Sequence, residues 1–206
     1  RRDQTETWRC NMKLARNSTV WVSVPIFLTA GLAAAGIWLL SAVALAGFVF
    51  MIFFHRDPDR LPGGDGMLSP ADGKIIQATP DRITIFMSPS NVHVNRAPLD
   101  GFVRNIEYRK GTHLPAFMGR ACKNQQNRMQ IDTDDGDMEL RQITGTLVRE
   151  IVCYVRPGDQ VSRGERIGMI RFGSRVEVSI PIGYSLLVNM GDKVRAGETV
   201  VAVRSS

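Results

Sequence analysis

The densest chemical signal in the chain is Ile170-Arg171-Phe172-Gly173-Ser174-Arg175-Val176-Glu177-Val178. Alone, a Gly-Ser pair reads as a turn between two strands. It also has a chemistry of its own: glycine accepts strained φ/ψ values and leaves its carbonyl open to attack, and Ser174 carries a hydroxyl that could attack it. A serine hydroxyl is a weak nucleophile at neutral pH and needs a neighbouring base. Of the three histidines, His55 abuts a long apolar run, His113 sits in a Gly-Thr-His-Leu-Pro loop, and His93 follows Ser88-Pro89-Ser90-Asn91-Val92. A neutral imidazole accepts a proton near pH 7 and its charged form returns one, although a single histidine is more often structural. A carboxylate would orient such an imidazole, as in other hydroxyl-imidazole-carboxylate sets, and Asp72 is one candidate, in an Asp-Gly pair that is equally a turn signature. The three cysteines, Cys10, Cys122 and Cys153, form no Cys-x-x-Cys pair, so no metal site is expected and they read as reduced thiols. Cys153, within the apolar run Ile151 to Val155, is expected to be a buried small hydrophobe. Arg96, Arg128 and Arg175 could meet a phosphate or carboxylate, and solvated surface positions suit them equally.

These groups need a scaffold, and 206 residues give room for one domain plus a membrane segment. The net charge of +6 comes without an aromatic-interleaved basic cluster, which argues against nucleic acid and for anionic lipid headgroups. Arg1, Arg2, Arg9, Lys13 and Arg16 precede an uncharged run from Val20 to Phe54, and Arg56 and Arg60 follow it. One straight helix over that run would measure about 50 Å against a hydrocarbon core of about 30 Å. Two shorter helices fit better, with a break near Gly31 to Gly36, Trp21 and Trp38 as interfacial anchors, and both ends cytoplasmic. A single tilted anchor is the alternative. A secretory signal is a poor match, because its apolar core is about half this length. Three regions result: a basic segment 1–19, a membrane hairpin or anchor 20–54, and a domain 55–206.

Beyond His55 the chain becomes short β-branched runs punctuated by Gly, Pro and Asp, the pattern of an all-β or β-rich domain. Expected strands are Lys74 to Ala78, Ile83 to Met87, Phe102 to Tyr108, Met138 to Ile143, Leu147 to Val155, Arg166 to Ile170, Val176 to Ile180 and Thr199 to Val203. Only Leu114 to Lys123 has helical character. Gly158-Asp159-Gln160-Val161-Ser162-Arg163-Gly164-Glu165 recurs as Gly191-Asp192-Lys193-Val194-Arg195-Ala196-Gly197-Glu198. Each copy reads as a Gly-Asp turn, an apolar residue and a second Gly turn, the hairpin grammar of lipoyl-like β sandwiches. The expected fold is a flattened sandwich of short strands with lipoyl-like hybrid-motif repeats, preceded by an N-terminal membrane helical hairpin. Neither copy presents a lone lysine at a hairpin tip, so a carrier function does not follow. A membrane-tethered binding module remains the reading from outside the enzyme class.

The run Arg163 to Glu177 closely resembles the processing region of short-type phosphatidylserine decarboxylase proenzymes, a pyruvoyl-dependent family. Phe53-Phe54-His55-Arg56-Asp57-Pro58 resembles its Phe-Arg-Asp-Pro segment, with His55 inserted or substituted. Ser69-Pro70-Ala71-Asp72-Gly73 matches its Ser-Pro-Ala-Asp-Gly motif, and Ser88-Pro89-Ser90-Asn91-Val92-His93 its Ser-Pro-x-x-x-His segment. An Asn-Glu-Arg-like signature after a helix is replaced by Ala121 to Arg128, so no substrate role is carried onto that stretch. The resemblance implies self-cleavage between Gly173 and Ser174 into fragments 1–173 and 174–206 that stay associated. It also implies conversion of Ser174 to a covalent pyruvoyl cofactor, which forms a Schiff base with the substrate amine. Ser174 would be the nucleophile, His93 the base and later proton donor, and Asp72 its partner. The implied reaction converts phosphatidylserine to phosphatidylethanolamine with release of carbon dioxide, without a metal, at the cytoplasmic side of the cell membrane. Archaetidylserine is the alternative substrate by the same chemistry, and a homo-oligomer is left open.

Overall fold

In the computed structural model the described residues are 12–111, 124–145, 150–172 and 174–205. The expected helix over Leu114 to Lys123, residues 147–149 of one expected strand, Gly173, Cys10, Cys122 and the basic residues Arg1, Arg2 and Arg9 lie outside them. The chain divides into two compact units, Arg1–Asp59 and Arg60–Ser206.

In the first unit, strand β1 (Met12–Leu14) pairs antiparallel with β2 (Arg56–Pro58) and closes the base of a pair of helices. These are α1 (Thr19–Ala34) and α2 (Trp38–Phe54). The uncharged run breaks where its glycines predict, at Gly36 with φ +73, a left-handed turn that glycine adopts at little cost. Ser41 of α2 donates to the Thr29 carbonyl of α1 at 3.0 Å. The run thus forms two helices in place of one continuous helix. At 16 and 17 residues the helices are about 24–26 Å long, and no helix among the described residues is long and apolar enough to cross a membrane. Val20, Phe27, Trp38 and Leu39 are exposed. Trp21 stacks on the buried His55, with ring centroids 6.4 Å apart.

The second unit is β-rich, built on an eight-stranded curled antiparallel sheet in the order β11-β7-β8-β9-β13-β5-β4-β15. In chain order these are β4 (Gly73–Thr79), β5 (Arg82–Met87), β7 (Gly101–Arg109), β8 (Gln126–Thr133), β9 (Gly136–Thr144), β11 (Gln160–Val161), β13 (Ser174–Ser179) and β15 (Lys193–Val194). Two three-stranded sheets cover it. One joins β6 (Val94–Arg96), β10 (Ile151–Cys153) and β12 (Arg166–Ile170), and the other β3 (Met67–Leu68), β14 (Tyr184–Leu186) and β16 (Val200–Arg204). The inward stripe Ile75, Ile83, Ile85, Val103, Met129, Ile131, Leu140, Val176 and Val178 forms the core. Each such side chain contributes about 1.5–3 kcal/mol of apolar burial.

The internal repeat is real in three dimensions. Its copies supply β11 and β15, the two opposite edges of the large sheet. Gly158 and Gly191 have φ +98 and +103, and Gly164 and Gly197 have +84 and +71. Their anchors repeat as well. Gly158 N–H donates to Val103 O and Gly191 N–H to Ile75 O, while Gly164 N–H donates to Ala97 O and Gly197 N–H to Ser69 O.

Three expectations need correction. β8 is an eight-residue strand that its many polar residues conceal. Cys153 is exposed, because β10 is an edge strand and places it outward. Arg60, expected to flank the membrane, is sequestered inside the second unit, where its side chain is 5% exposed.

Candidate active site

Ser174 opens β13, a strand held between β9 and β5, with Thr144 and Met87 as its register partners. The residue is wholly buried, and its hydroxyl donates to the Met87 sulfur at 3.4 Å. A thioether is a weak acceptor, so this bond holds the hydroxyl without activating it. Two positions earlier, Phe172 has φ +59. A non-glycine aromatic residue there stores about 1–3 kcal/mol of backbone strain, next to the bond expected to break.

Met87 ends β5 and leads into the loop that carries His93. Asn91 shapes this loop: its side-chain oxygen accepts from the Ser88 N–H and hydroxyl, both at 2.8 Å. His93 is wholly buried, and its Nδ1 lies 2.9 Å from the Asn91 carbonyl. A carbonyl can only accept, so Nδ1 carries the proton and the neutral ring keeps its lone pair on Nε2. The backbone on the other side of the site is tied to the same residue, since Ile170 N–H donates to His93 O at 3.2 Å. The stretch from Met87 to His93 is thus tied at one end to Ser174, through the Met87 pairing, and at the other to Ile170.

Asp72 has other partners. Arg60 meets its carboxylate through both terminal nitrogens, one bond being 2.9 Å, and the Ala196 N–H donates to Oδ1 at 2.8 Å. None of these reaches His93, whose tautomer is set by a main-chain carbonyl. The internal repeat explains the geometry. Ala71-Asp72-Gly73 has a counterpart in Leu99-Asp100-Gly101, and Asp100 likewise accepts from the Arg163 N–H at 2.8 Å. Each aspartate clamps one copy of the repeated hairpin. A side chain at Gly73 would overlap the Phe86 carbonyl oxygen, and a Cβ at Gly101 would lie 2.6 Å from Asp132 O.

Behind Ser174 lies a polar relay that the motifs did not reveal. Asn127 donates to Gln142 at 3.1 Å, Gln142 to Asn95 at 2.8 Å, and Asn95 to the Met87 sulfur at 3.8 Å and the Pro70 carbonyl at 3.4 Å. All three amides are buried. Along β8 and β9 the inward positions run Ile131, Met129, Asn127 and Met138, Leu140, Gln142, Thr144. The buried stripe therefore turns polar as it approaches Ser174, a signal readable as polar residues continuing an apolar period-two pattern. Gly168 makes room for the relay, since a Cβ there would lie 2.8 Å from the Gln142 amide nitrogen.

The arginines considered for substrate charge are engaged within the protein. Arg96 donates to Gly164 O at 2.9 Å, Arg128 meets Glu139, and Arg175 meets Glu177 at 2.7 Å. Arg171, wholly buried, pairs with Glu150.

A strand-opening serine after a strained backbone, a buried imidazole on the adjoining loop and a β-rich scaffold agree with the resemblance drawn from the sequence. The phosphatidylserine decarboxylase family profile matches residues 48–202, and the chain belongs to that family of decarboxylases. Its relatives include the phosphatidylserine decarboxylase proenzyme of Thermobifida fusca, 44% identical with 91% of each chain covered. That of Streptomyces avermitilis is 41% identical over 95% of this chain and 96% of its own. A Methanosarcina barkeri protein assigned by name as an archaetidylserine decarboxylase proenzyme is 42% identical over 92% of this chain and 98% of its own.

Proposed function

We propose that the chain cleaves itself between Gly173 and Ser174 and, with the pyruvoyl group made from Ser174, decarboxylates the serine headgroup of a phospholipid. The observation that carries this reading is the buried Ser174 hydroxyl at the head of a central strand, two residues after left-handed Phe172. His93 Nε2 takes the hydroxyl proton as Oγ adds to the Gly173 carbonyl. The peptide C–N bond then breaks in favour of an ester, and the Ser174 nitrogen gains the proton. Loss of the Ser174 α-proton expels the Gly173 carboxylate and leaves dehydroalanine, whose nitrogen is exchanged for oxygen by water with release of ammonia. Once formed, the group supplies an electrophilic carbonyl and a sink for the electron pair left as carbon dioxide departs. His93 then delivers a proton to the former α-carbon. The Asn91 carbonyl supports both roles by keeping the exchangeable position on Nε2, and the buried amide relay keeps the serine end of the sheet rigid.

The substrate class follows from the headgroup that phosphatidylserine and archaetidylserine share. The exposed apolar hairpin and the positive charge around it support a membrane location, with the catalytic domain on the cytoplasmic side and fragments 1–173 and 174–206 held together. Intact mass spectrometry of the purified protein tests the reading. The expected result is two polypeptides, the smaller blocked by a keto acyl group that reacts with hydroxylamine. Ser174→Ala should leave one unbroken chain that releases no carbon dioxide. A continuous wild-type chain that still decarboxylates its lipid would overturn the mechanism.

A further inference from the structure

Resting on that reading, we propose that Lys74 and Lys193 form the subsite for the substrate's phosphate. The two lysines are direct register partners on β4 and β15, and both are exposed. Like charges facing each other across an antiparallel pair destabilise it, and among the described residues neither lysine has a carboxylate partner. An anion between them would offset that repulsion. They open into a cleft of about 480 Å³ shared with Ser88, Ser90, Asn91, Arg195 and Asp72. Asp72 does not cancel the charge there, because its oxygens already serve Arg60 and the Ala196 N–H. Arg195 is turned toward Glu198 at 3.4 Å. Two ammonium groups beside the Ser88 and Ser90 hydroxyls, which lie 2.9 Å apart, suit a tetrahedral oxyanion.

Position and reaction chemistry both favour the phosphate over the substrate's carboxylate. Ser174 pairs with Met87, and the neighbouring Phe86 pairs with Lys74. Two strand spacings, about 10 Å, therefore separate the backbones of Ser174 and Lys74, and a lysine side chain with a headgroup only a few bonds long covers that gap. The lysines face the opposite side of the sheet from the Ser174 hydroxyl. However, Ser174 is the first residue of its strand and Ser88, which lines the cleft, is the first after its own, so both lie at the same end of the sheet. The carboxylate must leave as neutral carbon dioxide, and cations holding it would stabilise the ground state against the reaction. The phosphate keeps its charge throughout, so binding it lowers KM and leaves kcat unaltered.

The test compares the mature wild-type enzyme with Lys74→Met/Lys193→Met. Self-cleavage and the hydroxylamine-reactive carbonyl should be intact in both. A wild type lacking these would refute the proposed function itself, independently of the subsite. Glycerophosphoethanolamine and ethanolamine are used as inhibitors, since both carry the amine and only the first carries the phosphate. The double variant should lose about tenfold in affinity for the first and nothing for the second, with KM for a short-chain serine phospholipid rising in parallel at constant kcat. Inorganic phosphate titrated alone should weaken likewise. Unchanged inhibition by glycerophosphoethanolamine overturns the proposal. So does a loss confined to binding of phosphatidylglycerol vesicles, which would assign the lysines to the general membrane surface.

Discussion

At the scale of single residues, neighbouring atoms decide what Ser174 and His93 can do. Ser174 and His93 stand in ordered motifs, but the atoms that set their behaviour are a methionine sulfur and a main-chain carbonyl, neither of which leaves a recognisable spacing. The amide relay was hidden because Asn127 and Gln142 are far apart in the chain and meet only through the β8–β9 register. Gln142 is the member whose removal is most informative. Gln142→Ala leaves the Asn95 and Asn127 amides without their shared partner, at about 1–3 kcal/mol for each buried group left unsatisfied. Loosening Asn95 and Met87 should slow self-cleavage several-fold. Time courses of band splitting, read beside thermal melts of the same variant in a Ser174→Ala background, separate slower processing from simple loss of fold.

At the scale of elements, seven of the eight expected strands fall within two residues of observed ones, because one face of each packs on the core. β8 escaped because Gln126, Asn127, Arg128, Gln130 and Asp132 outnumber its apolar positions, although Met129 and Ile131 kept the period. The repeat predicted two hairpins but not their place at opposite edges of one sheet, which depends on long-range pairing. Its aspartates also change the meaning of a motif. Asp72 and Asp100 perform the same clamping task, yet only Asp72 faces a buried guanidinium. Asp100→Ala should therefore cost about 1 kcal/mol, whereas Asp72→Ala, which strands Arg60, should cost about 3 kcal/mol. Urea denaturation of uncleaved Ser174→Ala protein measures both. If Asp72→Ala is no more damaging to stability than Asp100→Ala but abolishes processing, Asp72 acts on the chemistry directly and the clamp is secondary.

At the scale of the whole molecule, the proposed scission falls at a revealing place in the topology. β13 is registered on β5 and β9, β15 lies along β4, and β16 lies along β3. The piece beginning at Ser174 is thus woven into four separate ladders of the piece before it. Assembly of this weave as a single chain is unimolecular. Once severed, the same arrangement would have to be reached by a collision between two partly unfolded strands of unequal length. The uncut Ser174→Ala chain should recover its fold after dilution from urea at any protein concentration, whereas the processed protein should recover poorly and less well as it is diluted, as circular dichroism before and after the cycle would report. The fold would then act as a ratchet: the molecule acquires its electrophile only after folding, and cannot return to the starting point once it has it.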